Sequence, residues 1–343
     1  MNAMKKTVCF GEIMMRLNPK GFLRFVQAGE FEVTYAGGEA NVAVSLANYG
    51  LDSYYVTKVP DTEIGQSAIN ELRRYGVKTD MIVKGGERLG IYFLEKGASQ
   101  RASKVIYDRA YSSIAEAKPG DFDWDAILKG ADWFHFTGIT PALSDSCAAL
   151  CLEAVKTAKK LGVKVSCDLN FRKKLWNTEK AGRVMGGMME YVNLCIANEE
   201  DAADVFGIKA EGTDIEKGEL SREGYISVAK QLTDRFGFDK VGITLRGSIS
   251  ASDNNWSGML YTGGKAYFAS DYSVHIVDRV GGGDSFGGAM IYGFLEGYDD
   301  QKALDFAVAA SCLAHSVEFD FNQVSKAEVE ALAKGNASGR VQR

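Results

Sequence analysis

No apolar run in the chain approaches the roughly 20 residues that a membrane-crossing helix needs. Met1 to Phe10 runs directly into a strand-like string and lacks the apolar core of a secretory leader. Excess positive charge is also missing. The formal net charge is −5, which argues against nucleic acid as a general partner and leaves room for a local basic site serving an acidic metabolite. Neither membrane nor nucleic acid is an expected partner. The six cysteines (Cys9, Cys147, Cys151, Cys167, Cys195, Cys312) are scattered, mostly through apolar stretches. That suits reduced core thiols in a cytoplasmic protein better than a disulfide framework. Cys147 and Cys151 stand one helical turn apart, yet no further Cys or His is close by in sequence to complete a zinc set. Only three histidines are present, and each reads as packed or capping: His135 in a buried strand, His275 alternating with core positions, His315 at a helix end. No low-complexity linker or internal repeat divides the 343 residues, enough for one large α/β domain or two smaller ones.

What the chain does have is alternation. Residues 8–13 read as a first strand, 53–59 as a second, 64–75 as a helix stopped by Gly76, and 81–83 as a short strand. Beyond these come a helix at 122–128, a strand at 133–138, a helix over Asp145–Leu161, a strand at 164–170 and a helix at 179–191. A strand at 194–198, helices over Glu199–Phe206 and 225–236, and a strand at 240–245 continue the series. Such alternation calls for an α/β fold: a mostly parallel central sheet with helices on both faces. Ligands of such sheets gather beyond the strand C-termini. There fall the polar ends Asp168-Leu169-Asn170-Phe171-Arg172, Asn198-Glu199-Glu200-Asp201, and Thr244-Leu245-Arg246-Gly247 with Ser248.

Two stretches break the pattern. Residues 14–35 hold strand-like pieces among turn residues, and residues 89–112 read as a hairpin of 90–95 and 104–109. Together they form a small sheet outside a core made of residues 1–13, 36–88 and 113–343. Trp124, Trp133, Phe134 and Phe136 read as core, Met185, Met188 and Met189 as helix packing, Trp176 and Trp256 as cleft edges, and 327–343 as a last helix with a polar tail.

The chemistry is placed on Asp278-Arg279-Val280-Gly281-Gly282-Gly283-Asp284-Ser285-Phe286. Residues 274–277 before it are β-branched enough for a buried strand, and Ala289, Met290, Tyr292, Gly293, Phe294 and Leu295 after it fit a helix apolar or small most of the way round. Three successive glycines let backbone amides converge, and a helix N-terminus adds partial positive charge, so an anion fits there. Asp284 is then either a helix cap or a base, and spacing alone leaves both open. Phe286 stands where a dinucleotide fingerprint needs Gly, and no Lys-Ser/Thr follows, so this is neither that fingerprint nor a Walker loop. Earlier, Gly37-Gly38-Glu39-Ala40-Asn41 opens an Ala/Val/Leu helix. Its amides and Asn41 suit a ligand hydroxyl, and its small residues equally suit close helix packing.

The later string resembles the carboxy-terminal signature of the ribokinase-like (PfkB) carbohydrate kinases, D-T-x-G-A-G-D, with Arg279 in place of Thr. Gly37-Gly38-x-x-Asn41 resembles their amino-terminal sugar-contacting signature. The resemblance implies a ribokinase-like fold whose small sheet is a lid over the sugar, ATP and Mg2+ as cofactors, and room for a monovalent cation such as K+. It makes Asp284 the general base, with the amides of Gly281, Gly282 and Gly283 as an anion hole. Asn198-x-x-Asp201 resembles the family's Asn-x-x-Glu element, which helps hold magnesium through water; Asp201 is one methylene short, so Glu199 or Glu200 shares the task. Asp168, Asn170, Asn198, Thr244, Arg246, Gly247 and Ser248 are expected near the nucleotide, with 251–258 an extension where members carry a Gly-rich loop.

Together with Ile91-Tyr92, Tyr107-Asp108-Arg109 and Asp168-x-Asn170-x-Arg172, these strings resemble the 2-keto-3-deoxygluconate kinases of that family over nearly the whole chain. This implies phosphorylation of an acidic keto sugar at O6. Gly37, Gly38, Asn41, Tyr92, Tyr107, Arg109 and Arg172 would surround the sugar, and Arg109 suits the carboxylate because a guanidinium grips one through two parallel hydrogen bonds. Asp320 matches a substrate-contacting Gly-Asp loop, with Phe319 in the Gly position. Lid sheets in such proteins often pair, which makes a homodimer an expectation. A kinase for a neutral sugar such as fructose and a non-catalytic sugar sensor stay open; a nicotinamide dehydrogenase is disfavoured by the missing fingerprint.

Overall fold

The computed structural model describes residues 4–210 and 221–336, and of Glu199 the backbone alone. In chain order come β1 (Lys6–Phe10), β2 (Met14–Asn18), β3 (Glu32–Ala36), α1 (Gly38–Asn48), β4 (Asp52–Val56), β5 (Lys58–Val59), α2 (Glu63–Arg74), β6 (Val83–Lys84), β7 (Gly90–Glu95) and β8 (Lys104–Asp108). Next are α3 (Trp124–Leu128), β9 (Trp133–Thr137), α4 (Ile139–Leu143), α5 (Asp145–Leu161), β10 (Lys164–Asp168), α6 (Thr178–Met189), β11 (Leu194–Ala197), α7 (Glu199–Phe206) and α8 (Arg222–Phe236). The last are β12 (Lys240–Ser248), β13 (Asp253–Thr262), β14 (Lys265–Phe268), β15 (Tyr272–His275), α9 (Gly282–Leu295), α10 (Asp300–Ala314) and α11 (Lys326–Ala333). Local chemistry marks the helix ends. Ser144, Asn177, Asn198 and Ser221 accept hydrogen bonds from first-turn amides of α5 to α8, and left-handed Gly162, Gly207 and Gly237 close α5, α7 and α8.

The main sheet runs β14-β13-β12-β11-β10-β9-β1-β4, with β15 beside β13. The strands from β12 to β4 in that order pair in parallel. Their inner residues are fully buried on both faces, Phe134 and Val165 on one and Cys9 and Ser166 on the other, because helices cover both. One apolar cluster joins α1, α2, α9, α10 and α11 to one face; the other joins α3, α5, α6, α7 and α8 to the opposite face. Parallel register brings the C-terminal ends of β1, β9, β10 and β11 to one edge, where Glu12, Gly138, Asn170 and Asn198 follow them.

A second sheet has the order β3-β2-β7-β8, with β2 and β7 parallel and the other two pairs antiparallel. It draws on the two stretches that broke the βα pattern. Its faces differ sharply. Val33, Leu17, Phe93 and Ile106 are register partners across all four strands and line one side. Arg16 and Tyr92 are partners on the other side and are buried.

Several expectations change. Residues 251–258, expected as an extension, are mostly strand: six of them belong to β13, a ten-residue strand that pairs antiparallel with β12. Gly258 gives no strand signal, yet a Cβ there would lie 2.7 Å from Val308 of α10, so glycine is what lets that helix close on the sheet. The strand expected at 274–277 is β15, an edge strand on β13. His275 is therefore not a packed residue; its side chain is 76% exposed and lies 2.8 Å from Asp253. Trp176 and Trp256 are buried, the latter with its ring centroid 4.6 Å from that of His315. His135 is buried and the six cysteines are free, all buried except Cys312. No described helix is long and apolar enough to cross a membrane. The tail expected at 337–343 lies outside the described residues.

Candidate active site

Helix α9 starts abruptly. Gly281 precedes it at φ +85°, and no side chain caps its first amides. A Cβ on Gly281 would sit 2.2 Å from the carbonyl oxygen of Asp320, and one on Gly282 would sit 2.5 Å from the His315 ring. Around Gly283 nothing lies within 4 Å of that position. The first two glycines are thus required by close neighbours, whereas the third borders open space. The uncapped amides and the helix field make this space suited to an anion.

Asp284, in the first turn, does not cap its own helix. Its Oδ2 accepts a hydrogen bond of 2.6 Å from Asn41 Nδ2 at the start of α1, so two helix N-termini meet at one carboxylate. Gly38 adds to the closeness: a Cβ there would be 3.5 Å from Asp284 Oδ1. Burial pushes the Asp284 carboxyl up to about 7; the Asn41 hydrogen bond and the Arg172 charge restrain the rise, and Glu39 and Asp320 add to it. Such a group is a competent base near neutral pH. Gly37 lets α1 approach the end of β1, since a Cβ would lie 2.0 Å from the Glu12 carbonyl oxygen.

Glu39, the one charge in an otherwise apolar helix opening, was not singled out by the sequence. It is buried and accepts hydrogen bonds from Thr137 N (3.0 Å), Thr137 Oγ1 (2.8 Å) and Thr140 Oγ1 (2.6 Å). These bonds pin α1 to the end of β9, while burial raises its pKa against their pull.

The residues expected around the sugar separate into groups. Tyr92 donates to Asp320 Oδ1 at 2.7 Å, and both are buried. Arg16, which no motif contains, binds Asp320 and Asp278 at 2.5 Å each. An arginine in the inward phase of β2 was the available signal. Phe319, in the Gly position of the motif, has φ +70°, so the backbone bend survives without glycine. Arg109 is only 8% exposed and is committed to Glu12: its Nε donates to Oε2 at 2.8 Å and its Nη2 bonds the same oxygen. Ser112 Oγ donates to the other oxygen at 2.6 Å.

Beside β8 opens a cavity of about 1030 Å³, lined in part by Tyr107, Arg109, Arg172, Lys174, Glu200 and Asp201. Asp284, Asn41 and the three glycines are not part of its lining; Arg172 links the two places, being exposed here and felt electrostatically by Asp284. Asp201 Oδ1 accepts the Phe171 N–H at 2.9 Å, and burial pushes its carboxyl up to about 6. Burial, then Asp201 and Asp284, push Asp168 well up. Carboxyls gather here beside Arg172, and among the described residues no group of three or more His, Cys, Asp or Glu is poised to hold a metal ion. Asn198 is occupied as the cap of α7, donor Asp201 N at 2.7 Å, and Glu199 offers no described side chain. Asn170 has φ +36°. The strand expected at 240–245 extends through Ser248 as β12, so Thr244, Arg246, Gly247 and Ser248 lie on it opposite Gly258, Trp256, Asn255 and Asn254 of β13.

The chain is similar to known proteins over nearly its whole length. The profile described as pfkB family carbohydrate kinase matches residues 4–318. The 2-dehydro-3-deoxygalactonokinase of Haloferax volcanii is 31% identical over 332 residues, covering 97% of this chain and 98% of that one. The 2-dehydro-3-deoxygluconokinase of Thermoproteus tenax is 30% identical over 340 residues, covering 97% and 95%. The crystal structure of 2-dehydro-3-deoxygluconokinase from Thermotoga maritima is similar with a TM-score of 0.94 and 54% identity, over 97% of this chain and 99% of that one.

Proposed function

The chain belongs to the pfkB family of carbohydrate kinases, and from that premise we propose that it transfers the γ-phosphoryl group of ATP to O6 of 2-keto-3-deoxygluconate. The observation that carries the reaction is the Asp284 carboxylate, raised to about 7 and held by Asn41 at the mouth of an uncapped glycine helix start. Asp284 takes the proton from the O6 hydroxyl as the new O–P bond forms and the bond from phosphorus to the leaving ADP oxygen breaks. The amides of Gly281, Gly282 and Gly283 face the oxygens of the group in flight, where charge accumulates. Asn41 aims the base, and Gly37 and Gly38 keep α1 close enough to do so.

Support for an acidic sugar comes from the names of the relatives and from the cations along the cavity. Arg109 is already neutralised by Glu12, so Arg172, an exposed guanidinium felt at Asp284, is the first candidate for the carboxylate, with Arg109 and Tyr107 walling the same space. Tyr92 and Asp320 act on the sugar side through the root of the lid. ATP would lie along Thr244, Arg246, Gly247 and Ser248, its phosphates directed toward Asp168, Asn170 and Asn198. Magnesium fits beside Glu200 and Asp201 through water, where it would neutralise phosphate charge.

A panel assay of ADP release tests this reading. Activity with 2-keto-3-deoxygluconate well above that with fructose is expected, with phosphate located on O6 by NMR. Arg172→Ala should raise the KM for the acid about 10-fold or more, the scale of a lost charge-assisted hydrogen bond, and leave the KM for fructose unaffected, while any effect on the Asp284 base lowers kcat for both sugars alike. Equal rates for acid and neutral sugars would refute acid specificity, and no ADP release with any sugar would refute the kinase. The Haloferax relative favours one second reading, a preference for the galacto epimer, which the same panel separates.

A further inference from the structure

Arg16 has no exposed surface and belongs to none of the motifs that mark the site. Its Nη1 donates to Asp320 Oδ2 and its Nη2 to Asp278 Oδ2, each at 2.5 Å. Both carboxylates belong to the walls of the glycine turn. Asp278 Oδ1 accepts the N–H of Val280 at 3.3 Å, and its Oδ2 accepts that of Phe319, also at 3.3 Å. The Asp320 carbonyl is the atom that presses on Gly281. The remaining partners repeat the division of labour. Tyr92 of β7 donates to Asp320, while Lys96, just past β7, lies 3.9 Å from Asp278 and 2.9 Å from Glu318. In this network the cations come from the small sheet and the carboxylates from the loops flanking the start of α9.

The neighbouring residue makes a second, indirect tie to the turn after β7. Arg279 Nη2 donates to the carbonyls of Ser250 (3.4 Å) and Ala251 (3.0 Å). The Ala251 N–H in turn donates to the carbonyl of Ser99, in the β7–β8 turn, at 2.7 Å. Residues 278 and 279, three and two positions ahead of Gly281, thus both reach the small sheet, the first directly and the second through Ala251.

Two buried carboxylates this close need a cation between them, and a planar guanidinium can serve both at a fixed separation where an ammonium cannot. From this geometry we infer that Arg16 is a positioning residue for phosphoryl transfer, holding the Gly281–Gly282–Gly283 amides in register with the sheet that covers the sugar. It touches neither reactant; it acts through Asp278 and Asp320. The inference rests on the kinase reading above and adds to it the residue that couples sheet position to the anion hole. Displacing such donors by an ångström costs on the order of 100-fold in rate.

The test compares Arg16→Lys, Arg16→Met and Asp278→Asn with the unchanged enzyme. Steady-state rates are measured with ATP and the best sugar of the panel, sugar affinity by calorimetry, and amide hydrogen exchange over residues 278–290 by mass spectrometry. The expected result is a kcat lowered about 10- to 100-fold, a sugar Kd raised by less than kcat falls because Asp320 also faces the sugar, faster exchange in the glycine turn, and Arg16→Lys intermediate. A residue that only supports the fold would lower the melting temperature and leave the kcat of the folded enzyme intact, and that outcome overturns the inference. So does a rise in sugar KM at constant kcat, which would put Arg16 in the sugar site. Should Arg16→Met fail to fold, Asp278→Asn decides by the same criteria. An unchanged enzyme that phosphorylates nothing refutes the kinase reading instead; exchange at 278–290 unaltered in the variants then refutes the hold of Arg16 on the turn.

Discussion

As the proposed base, Asp284 must be basic and yet ionised near neutral pH, and its surroundings supply both. Burial lifts the carboxyl toward 7, while Asn41 and Arg172 keep the anion accessible. Since the ionised form acts, kcat/KM should climb with pH and level off above about 7. A profile flat from about pH 5 to about 8 would contradict the role. The same shift works against stability. A carboxyl whose folded pKa exceeds its ordinary 3.8 holds its proton more tightly in the folded state, so stability falls as pH rises through the window from 3.8 to about 7. Asp284→Asn removes that titration. We expect its turnover to drop by about 10²- to 10⁴-fold, with a melting temperature at alkaline pH no lower than that of the unchanged protein. Calorimetry beside the rate assay checks both halves.

At the scale of the element, the start of α9 distinguishes three glycines that look alike in sequence. Gly281→Ala meets a positive φ and a carbonyl at 2.2 Å, so it should lose about 1–3 kcal/mol or more of stability. Gly282→Ala has to displace the His315 imidazole, itself anchored by a 2.7 Å contact to the Ser311 carbonyl, and should be destabilising as well. Gly283→Ala has nothing to strike. It should leave the thermal midpoint unchanged or slightly raised, because alanine suits a helix better than glycine, and still depress kcat by filling the space meant for the transferred group. Full turnover in Gly283→Ala would remove the anion hole from the mechanism.

At the scale of the molecule, the small sheet carries an apolar row on its outer side. Val33 and Ile106 at the ends of the row are each 54% exposed, and Val26 nearby in sequence is 91% exposed. Phe25 and Phe31 pack edge-on against Phe93 of the row. An apolar strip across four strands is uncommon on a monomer surface, and a second copy of the same sheet is the self-complementary partner that a two-fold dimer requires. Light scattering should give twice the chain mass, reduced to the single mass by Val33→Lys with Ile106→Lys. A single mass for the unchanged protein would dismiss the dimer.

The order of elements, the mostly parallel sheet and the small second sheet were legible because local pattern encodes them: apolar period, caps and glycine strings act over a few residues; the pair Asn41 and Asp284 stood out only through the family resemblance. β13 was not, since glycine and serine interrupt its pattern and only the approach of α10 explains Gly258. The partners of the charged side chains were beyond the reach of such patterns. Arg16 and Asp320 are 304 positions apart, Arg16 and Asp278 are 262 apart, and Arg109 and Glu12 are 97 apart. Sequence by itself determined most of the alternating strands and helices and where the helices stop, because those depend on nearest neighbours along the chain. Tertiary structure alone decided which buried cation answers which carboxylate, because that choice is made only when distant segments lose water together and each charge must find the partner then within reach.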